Sequence, residues 1–94
     1  MDITIIGSGT AVPSLRRSSP CVLVRTGETT IVCDTGPGAL RQLLKAGVAV
    51  PQIDCLCYSH LHLDHTADLA PFLFAANYDP DSPRVRGLTI IGPA

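Results

Sequence analysis

The sequence predicts an α/β fold, and three observations carry that expectation. Short runs rich in β-branched and apolar residues recur at 3–6, 21–25, 30–34 and 53–58, as strands of a buried sheet do. Two other stretches space their apolar residues three and four apart, Leu40-Leu43-Leu44 and Leu69-Phe72-Leu73-Ala76, which marks amphipathic helices. Hydrophobic residues make up 46% of the 94 positions and charged residues 16%, a balance that suits a layered domain better than a disordered segment.

Taken in order, Ile3 to Ile6 reads as a buried strand that ends at Gly7-Ser8-Gly9, where two glycines break the run into a loop. Cys21 to Arg25 and Thr30 to Asp34 are joined by Thr26-Gly27-Glu28-Thr29, a hairpin signal. After Thr35-Gly36-Pro37-Gly38 the first helical stripe begins, with Lys45 in its last turn and Gly47 as its stop, both favourable at a helix C-terminus. Val50-Pro51-Gln52 connects to a strand from Ile53 to Tyr58. The second helical stripe tolerates Pro71 if Asp68 is the cap, because proline is accepted in a first turn and not in an interior. Asn77 to Pro83 reads as a loop, and a last strand lies near Val85 to Ile91. The expected order is β, β-hairpin, α, β, α, β.

Formal net charge is −1, so the whole-molecule field draws neither nucleic acid nor anionic membrane. The apolar run at 69–76 contains a proline and is far short of the ~20 residues that span a bilayer. No secretory signal is read at Met1-Asp2-Ile3-Thr4, and a cytoplasmic location with no membrane contact is expected. Cys21, Cys33, Cys55 and Cys57 all fall inside apolar, strand-like runs and are read as inert core thiols. Cys55 and Cys57 should share one strand face. The glycines at 7 and 9 lack the third glycine of a dinucleotide loop, since Val12 stands there. Arg16 and Arg17 are read as solvated loop residues, and no substrate contact is assigned.

All three histidines of the chain lie in Ser59-His60-Leu61-His62-Leu63-Asp64-His65. Two residues apart in an extended segment, His60 and His62 leave the same side and can converge on one ion at about 2.0–2.1 Å. Asp64 keeps that parity. His65 should diverge unless the chain turns, an arrangement suited to two metals about 3.5–4 Å apart. Solvated histidines at a strand end are the plainer alternative, but they would contribute little to stability in such apolar surroundings.

His60-Leu61-His62-Leu63-Asp64-His65 resembles the HxHxDH signature of the metallo-β-lactamase superfamily, following a strand as it should. Ile31-Val32-Cys33-Asp34-Thr35-Gly36 is similar to that family's first motif, whose aspartate braces the metal loop. Gly7-Ser8-Gly9-Thr10-Ala11-Val12-Pro13-Ser14 followed by Arg16-Arg17 is similar to the start of the ribonuclease Z branch, although Leu63 stands where that branch usually has glycine.

The resemblance implies that residues 1–94 form a single partial domain, the amino-terminal half of a metallo-β-lactamase αββα sandwich. It implies a zinc-dependent hydrolase acting on phosphodiesters through water held by metal, with His60, His62, Asp64 and His65 as ligands, Asp64 also catalytic, and Asp34 as the brace. An arylsulfatase-like or other ester or thioester hydrolase, and a non-catalytic metal-binding fragment that needs a second chain, remain alternatives. Histidine at 62 favours zinc, with two ions expected in the complete enzyme and manganese or iron as substitutes. The family's remaining ligands come from later in the chain, and no histidine follows His65 here. The 94 residues alone are therefore expected to be a poor enzyme, completed by a carboxy-terminal half, a second chain or a homodimer partner.

Overall fold

A computed structural model of the chain describes residues 1–78 and 87–93. Five strands form one mixed sheet in chain order: β1 (Asp2–Gly7), β2 (Cys21–Thr26), β3 (Thr29–Cys33), β4 (Cys55–Cys57) and β5 (Thr89–Ile91). The first three are an antiparallel meander, and the last two run parallel to β3 and to each other. Helix α1 (Ala39–Lys45) connects β3 to β4. A one-turn helix α2 (Leu63–Thr66) and helix α3 (Leu69–Tyr78) follow β4. The expected order of elements holds, with α2 added. The expected strand residues Val85 and Arg86, and the end of the expected loop at 79–83, lie outside the described residues.

Both parallel connections step the same way across the sheet, so the usual handedness of such crossovers places α1 and α3 on one face. The core forms there. Leu23, Val32 and Leu56 point from adjacent strands towards Leu43 of α1 and Phe72 of α3, with Cys21, Val48 and Ile53 closing the edges. Register fixes this assignment, because Leu23 opposes Val32, and Val32 opposes Leu56. Truncating a buried side chain such as Phe72 or Leu43 would typically cost ~2–5 kcal/mol.

The termination of α1 shows how a local signal becomes packing. Gly47 takes φ 86°, the left-handed turn that glycine adopts without penalty. Its amide donates to the Leu44 carbonyl at 3.0 Å, and the Val48 amide donates to the Leu43 carbonyl at 2.9 Å. This is a Schellman closure, and its usual apolar contact is supplied by Val48 and Leu43, each 1% exposed.

Several side chains depart from the expectations. β1 is an edge strand and is largely exposed, with Ile3 and Ile5 both at 62%. Leu44 and Leu73 face solvent, so the buried stripes are Ala39-Leu40-Leu43 and Leu69-Phe72-Ala76. A sheet covered on one side needs only a narrow stripe from each helix. The Asp68 carboxylate accepts from the Leu40 amide at 3.0 Å, so it satisfies an orphan donor in the first turn of α1, while the Asp68 carbonyl starts α3 by accepting from Phe72.

On the other face of the sheet Ile3, Ile5, Val22, Val24, Ile31, Cys33, Cys55, Cys57 and Ile91 share the same side by register. None of them is fully buried. Of the four thiols only Cys21 lies in the core; the other three are half-buried on this second face. Cys55 and Cys57 share a strand face, as expected, with their sulfurs 3.7 Å apart. Among the described residues no helix is long and apolar enough to cross a membrane.

Thr35 is the only fully buried polar side chain among the described residues, and its hydroxyl lies 2.8 Å from that of Tyr58. Replacing Thr35 by valine keeps the shape and leaves the Tyr58 hydroxyl without this partner, which should lower stability by ~1–3 kcal/mol. Urea unfolding of Thr35→Val measures it, and an unchanged midpoint would mean that the pair contributes nothing. Burial, reinforced by the nearby Asp34 charge, pushes the Cys21 thiol up to about 12. At pH 8 roughly one molecule in ten thousand then carries the thiolate that reacts. Iodoacetamide with peptide mapping should leave Cys21 unlabelled until denaturant exposes it; labelling of the folded chain at a free-thiol rate would contradict the burial.

Candidate metal centre

The site is built where β3 and β4 end side by side, Cys33 opposite Cys57. The ladder continues one step beyond the strands through the Asp34 amide, which donates to the Cys57 carbonyl at 2.8 Å. At Asp34 the chain enters the left-handed region, with φ 64°. Aspartate tolerates this conformation better than most residues, and strain of this kind tends to collect at functional sites. The turn holds the carboxylate over the end of β4.

Three donors converge on that carboxylate. The Ser59 amide donates to Oδ1 at 2.9 Å, the Ser59 hydroxyl to Oδ2 at 2.8 Å, and His65 Nδ1 lies 2.8 Å from Oδ2. Burial by itself raises the Asp34 pKa, and the hydrogen bonds from Ser59 and His65 reverse that, holding the group below the ordinary carboxylate value. Asp34 is thus an acceptor of fixed charge, and the tautomers of two histidines follow from it.

A carboxylate only accepts, so His65 donates from Nδ1 and turns Nε2 towards the cluster. The Ser59 hydroxyl has one proton, already given to Asp34, so at 3.1 Å from His60 Nδ1 it acts as acceptor. His60 therefore also donates from Nδ1 and presents Nε2. Metal-binding imidazoles are usually set in this way, with one nitrogen braced and the other free to ligate. The sequence patterns do not single out Ser59. A hydroxyl directly before the first histidine, at the end of a strand next to an aspartate, is the signal that identifies it.

His62 is the last extended residue, with ψ 147°, and α2 begins at Leu63. The His65 amide donates to the His62 carbonyl at 2.9 Å and the Thr66 hydroxyl to the same oxygen at 3.2 Å. This turn brings together residues that strand parity would separate. His60, His62 and Asp64 each offer a ligand atom, all within 4.8 Å of one another. His65 converges as well, against the expected divergence: its ring centroid is 3.8 Å from that of His60, and its Nε2 is 3.4 Å from Asp64 Oδ2. His65 Nε2 and the Asp64 carboxylate therefore face the same space. The donor set therefore fits a divalent metal, with nitrogen and carboxylate ligands of the kind zinc accepts.

The loop is held from behind by Thr35 and Gly36. The Thr35 amide donates to the His65 carbonyl at 2.7 Å, and the Thr35 carbonyl accepts from the Asp68 amide at 2.9 Å. With its hydroxyl on Tyr58, every polar group of Thr35 is engaged. A Cβ on Gly36 would collide with the Asp64 carbonyl and with Ser19, so only glycine lets the metal loop, the end of β3 and the loop before β2 meet at this point.

Comparison with known proteins agrees with this geometry. The chain is 41% identical over 96 residues to ribonuclease Z of Mycolicibacterium gilvum, covering 99% of this chain and 32% of that protein. Its fold matches the metallo-beta-lactamase fold protein YhfI of Bacillus subtilis with a TM-score of 0.82 and 27% identity, over 96% of this chain and 37% of the other. Human tRNase Z, short form, gives a TM-score of 0.72 at 34% identity, over 78% of this chain and 28% of the other. The chain thus spans about a third of the length of these relatives. The family model for the metallo-beta-lactamase superfamily matches residues 15–89, a stretch that contains Asp34, the histidine segment and the core strands β2 to β4, and the chain belongs to that superfamily.

Proposed function

We propose that residues 1–94 are the amino-terminal part of a zinc-dependent phosphodiesterase of the ribonuclease Z type, with His60, His62, Asp64 and His65 as metal ligands. The observation that carries this reading is the convergence of His60, His62 and Asp64 donor atoms within 4.8 Å, with the imidazole tautomers set by Asp34 and Ser59. The relatives named ribonuclease Z favour a nucleic-acid phosphodiester as substrate. When bound, zinc supplies charge that acidifies water and polarises a phosphoryl oxygen.

The chain's own residues have distinct parts in this chemistry. Asp34 and Ser59 hold His60 and His65 in the ligating tautomer. Asp64, at the first turn of α2, would hold the ion and would orient the attacking water or take its proton. Catalytic zinc sites use about three protein ligands each, so two ions need more donors than these four residues provide. Donors from a carboxy-terminal half, or from a second chain, complete the site, and the bare face of the sheet is where such a half would pack.

In the whole protein, Asp64→Ala should remove most turnover of bis(p-nitrophenyl) phosphate and reduce bound metal, with the circular-dichroism melt retained. Near-normal turnover would exclude Asp64 from the chemistry. Asp34→Asn keeps the size of the brace and removes its charge and one acceptor, and should lower metal affinity or activity by ~10–100-fold. Equal metal content and turnover in this variant would overturn the bracing role.

A further inference from the structure

Helix α2 is a single turn of four residues, Leu63–Thr66, too short to persist without anchors at its ends. It carries Asp64 and His65, half of the candidate donor set. Its amino end is tied to the strand edge through His62, and the bond from His65 to Asp34 reinforces that tie. Its carboxyl end leads through Ala67 to Asp68, which is not one of the converging donors. The anchor on this side is Asp68.

Three hydrogen bonds from this one residue join three parts of the fold. The Asp68 amide donates to the Thr35 carbonyl at 2.9 Å, the Asp68 carbonyl accepts from the Phe72 amide at 2.9 Å, and the Asp68 carboxylate accepts from the Leu40 amide at 3.0 Å. The first reaches the turn after β3, the second starts α3, and the third fixes the residue to α1. Thr35 in turn donates its amide to the His65 carbonyl at 2.7 Å. Residues 65 and 68 are thus clamped to the two backbone groups of one buried residue.

Backbone bonds are open to almost any side chain, but the bond to Leu40 needs this carboxylate. α1 has no side-chain cap of its own: Gly38 precedes it in the left-handed region, and its first turn holds no acidic residue. The Leu40 amide is one of the orphan donors of that turn. Among the described residues no cation pairs with Asp68, so its charge is directed at this amide. The bond is part-buried, and its neighbours Ala39 and Leu69 belong to the core or pack against it. A charge-assisted bond in such a place is stronger than an ordinary one. We propose that Asp68 is a positioning residue for the metal centre: its carboxylate, held by the Leu40 amide, fixes the carboxyl end of α2 so that Asp64 and His65 stay turned towards His60 and His62. This rests on the metal-ligand reading above. Asp34 then holds the turn from 31 positions before His65, and Asp68 holds it by reaching back 28 positions to α1.

The test uses the whole protein. In EDTA, hydrogen exchange of the amides of residues 35, 65 and 68 reads the clamp itself. Asp68→Ala should speed exchange at these amides by about tenfold, the scale of a lost hydrogen bond to a charged group. Zinc affinity, measured by competition with a chromophoric chelator, should fall about tenfold in the same variant. Asp68→Asn keeps an acceptor oxygen and should recover most of both. Val48→Ala trims a core side chain beyond the other end of α1, and should lower the melting temperature while leaving these amides and zinc affinity near wild type. Wild-type exchange and zinc affinity in Asp68→Ala would overturn the proposal. So would weaker zinc binding with unchanged exchange, since Asp68 would then act on the ion directly. An equal loss of zinc affinity in Val48→Ala at an equal drop in melting temperature would overturn it too, because stability alone would explain the effect. Zinc binding that persists in His60→Ala/His62→Ala would count against the metal-ligand reading, and the exchange comparison in EDTA would still decide whether Asp68 holds the turn.

Discussion

The Asp34 carboxylate is the group on which the site depends. It accepts from the backbone and the hydroxyl of Ser59 and from the ring of His65, and so couples the end of β3 to the end of β4 and to the start of α2. The left-handed backbone at Asp34 and the missing side chain at Gly36 are local costs of bringing those three segments together. Thr35, between them, is buried with all of its polar groups engaged, so the strained turn sits on a fixed base. The arrangement places the precision of the site in the sheet edge, and the histidines inherit it through hydrogen bonds.

The loop at residues 8–20 ends against Gly36, where Ser19 and the Asp64 carbonyl leave no room for a side chain. The half-covered sheet is consistent with relatives about three times as long as this chain. The apolar row from Ile3 to Ile91 on its second face is what a further layer would cover.

Much of this was legible in the sequence because it depends on short-range patterns. Short β-branched, apolar runs marked β2, β3 and the hairpin between them, three-and-four spacing marked the two main helices, and Gly47 marked the stop of α1. The histidine segment was legible through the spacing of its donors, and Asp34 through the resemblance of residues 31–36 to a family motif. The features missed are those decided by tertiary partners. Nothing local says that β1 is an uncovered edge, that Leu44 and Leu73 face outward, or that the Asp68 carboxylate reaches Leu40, 28 positions earlier. The convergence of His65 was hidden because a helix begins at Leu63, cancelling the parity of an extended chain. Ser59 and the Thr35–Tyr58 pair are polar contacts between residues 23 to 25 positions apart, and single-residue propensity carries no trace of them.

The four candidate donors occupy six consecutive residues, whereas the brace acts on His65 from 31 positions away. Loop-closure entropy rises with the logarithm of separation, so gathering the donors takes only about half of what positioning Asp34 does. An ion with affinity for these side chains can therefore meet them in the unfolded chain too. Ligand stabilisation depends on the difference between native and unfolded affinities. A rise in melting temperature on adding metal would consequently measure the advantage of the folded arrangement over the unfolded chain, and would understate how tightly the native site binds.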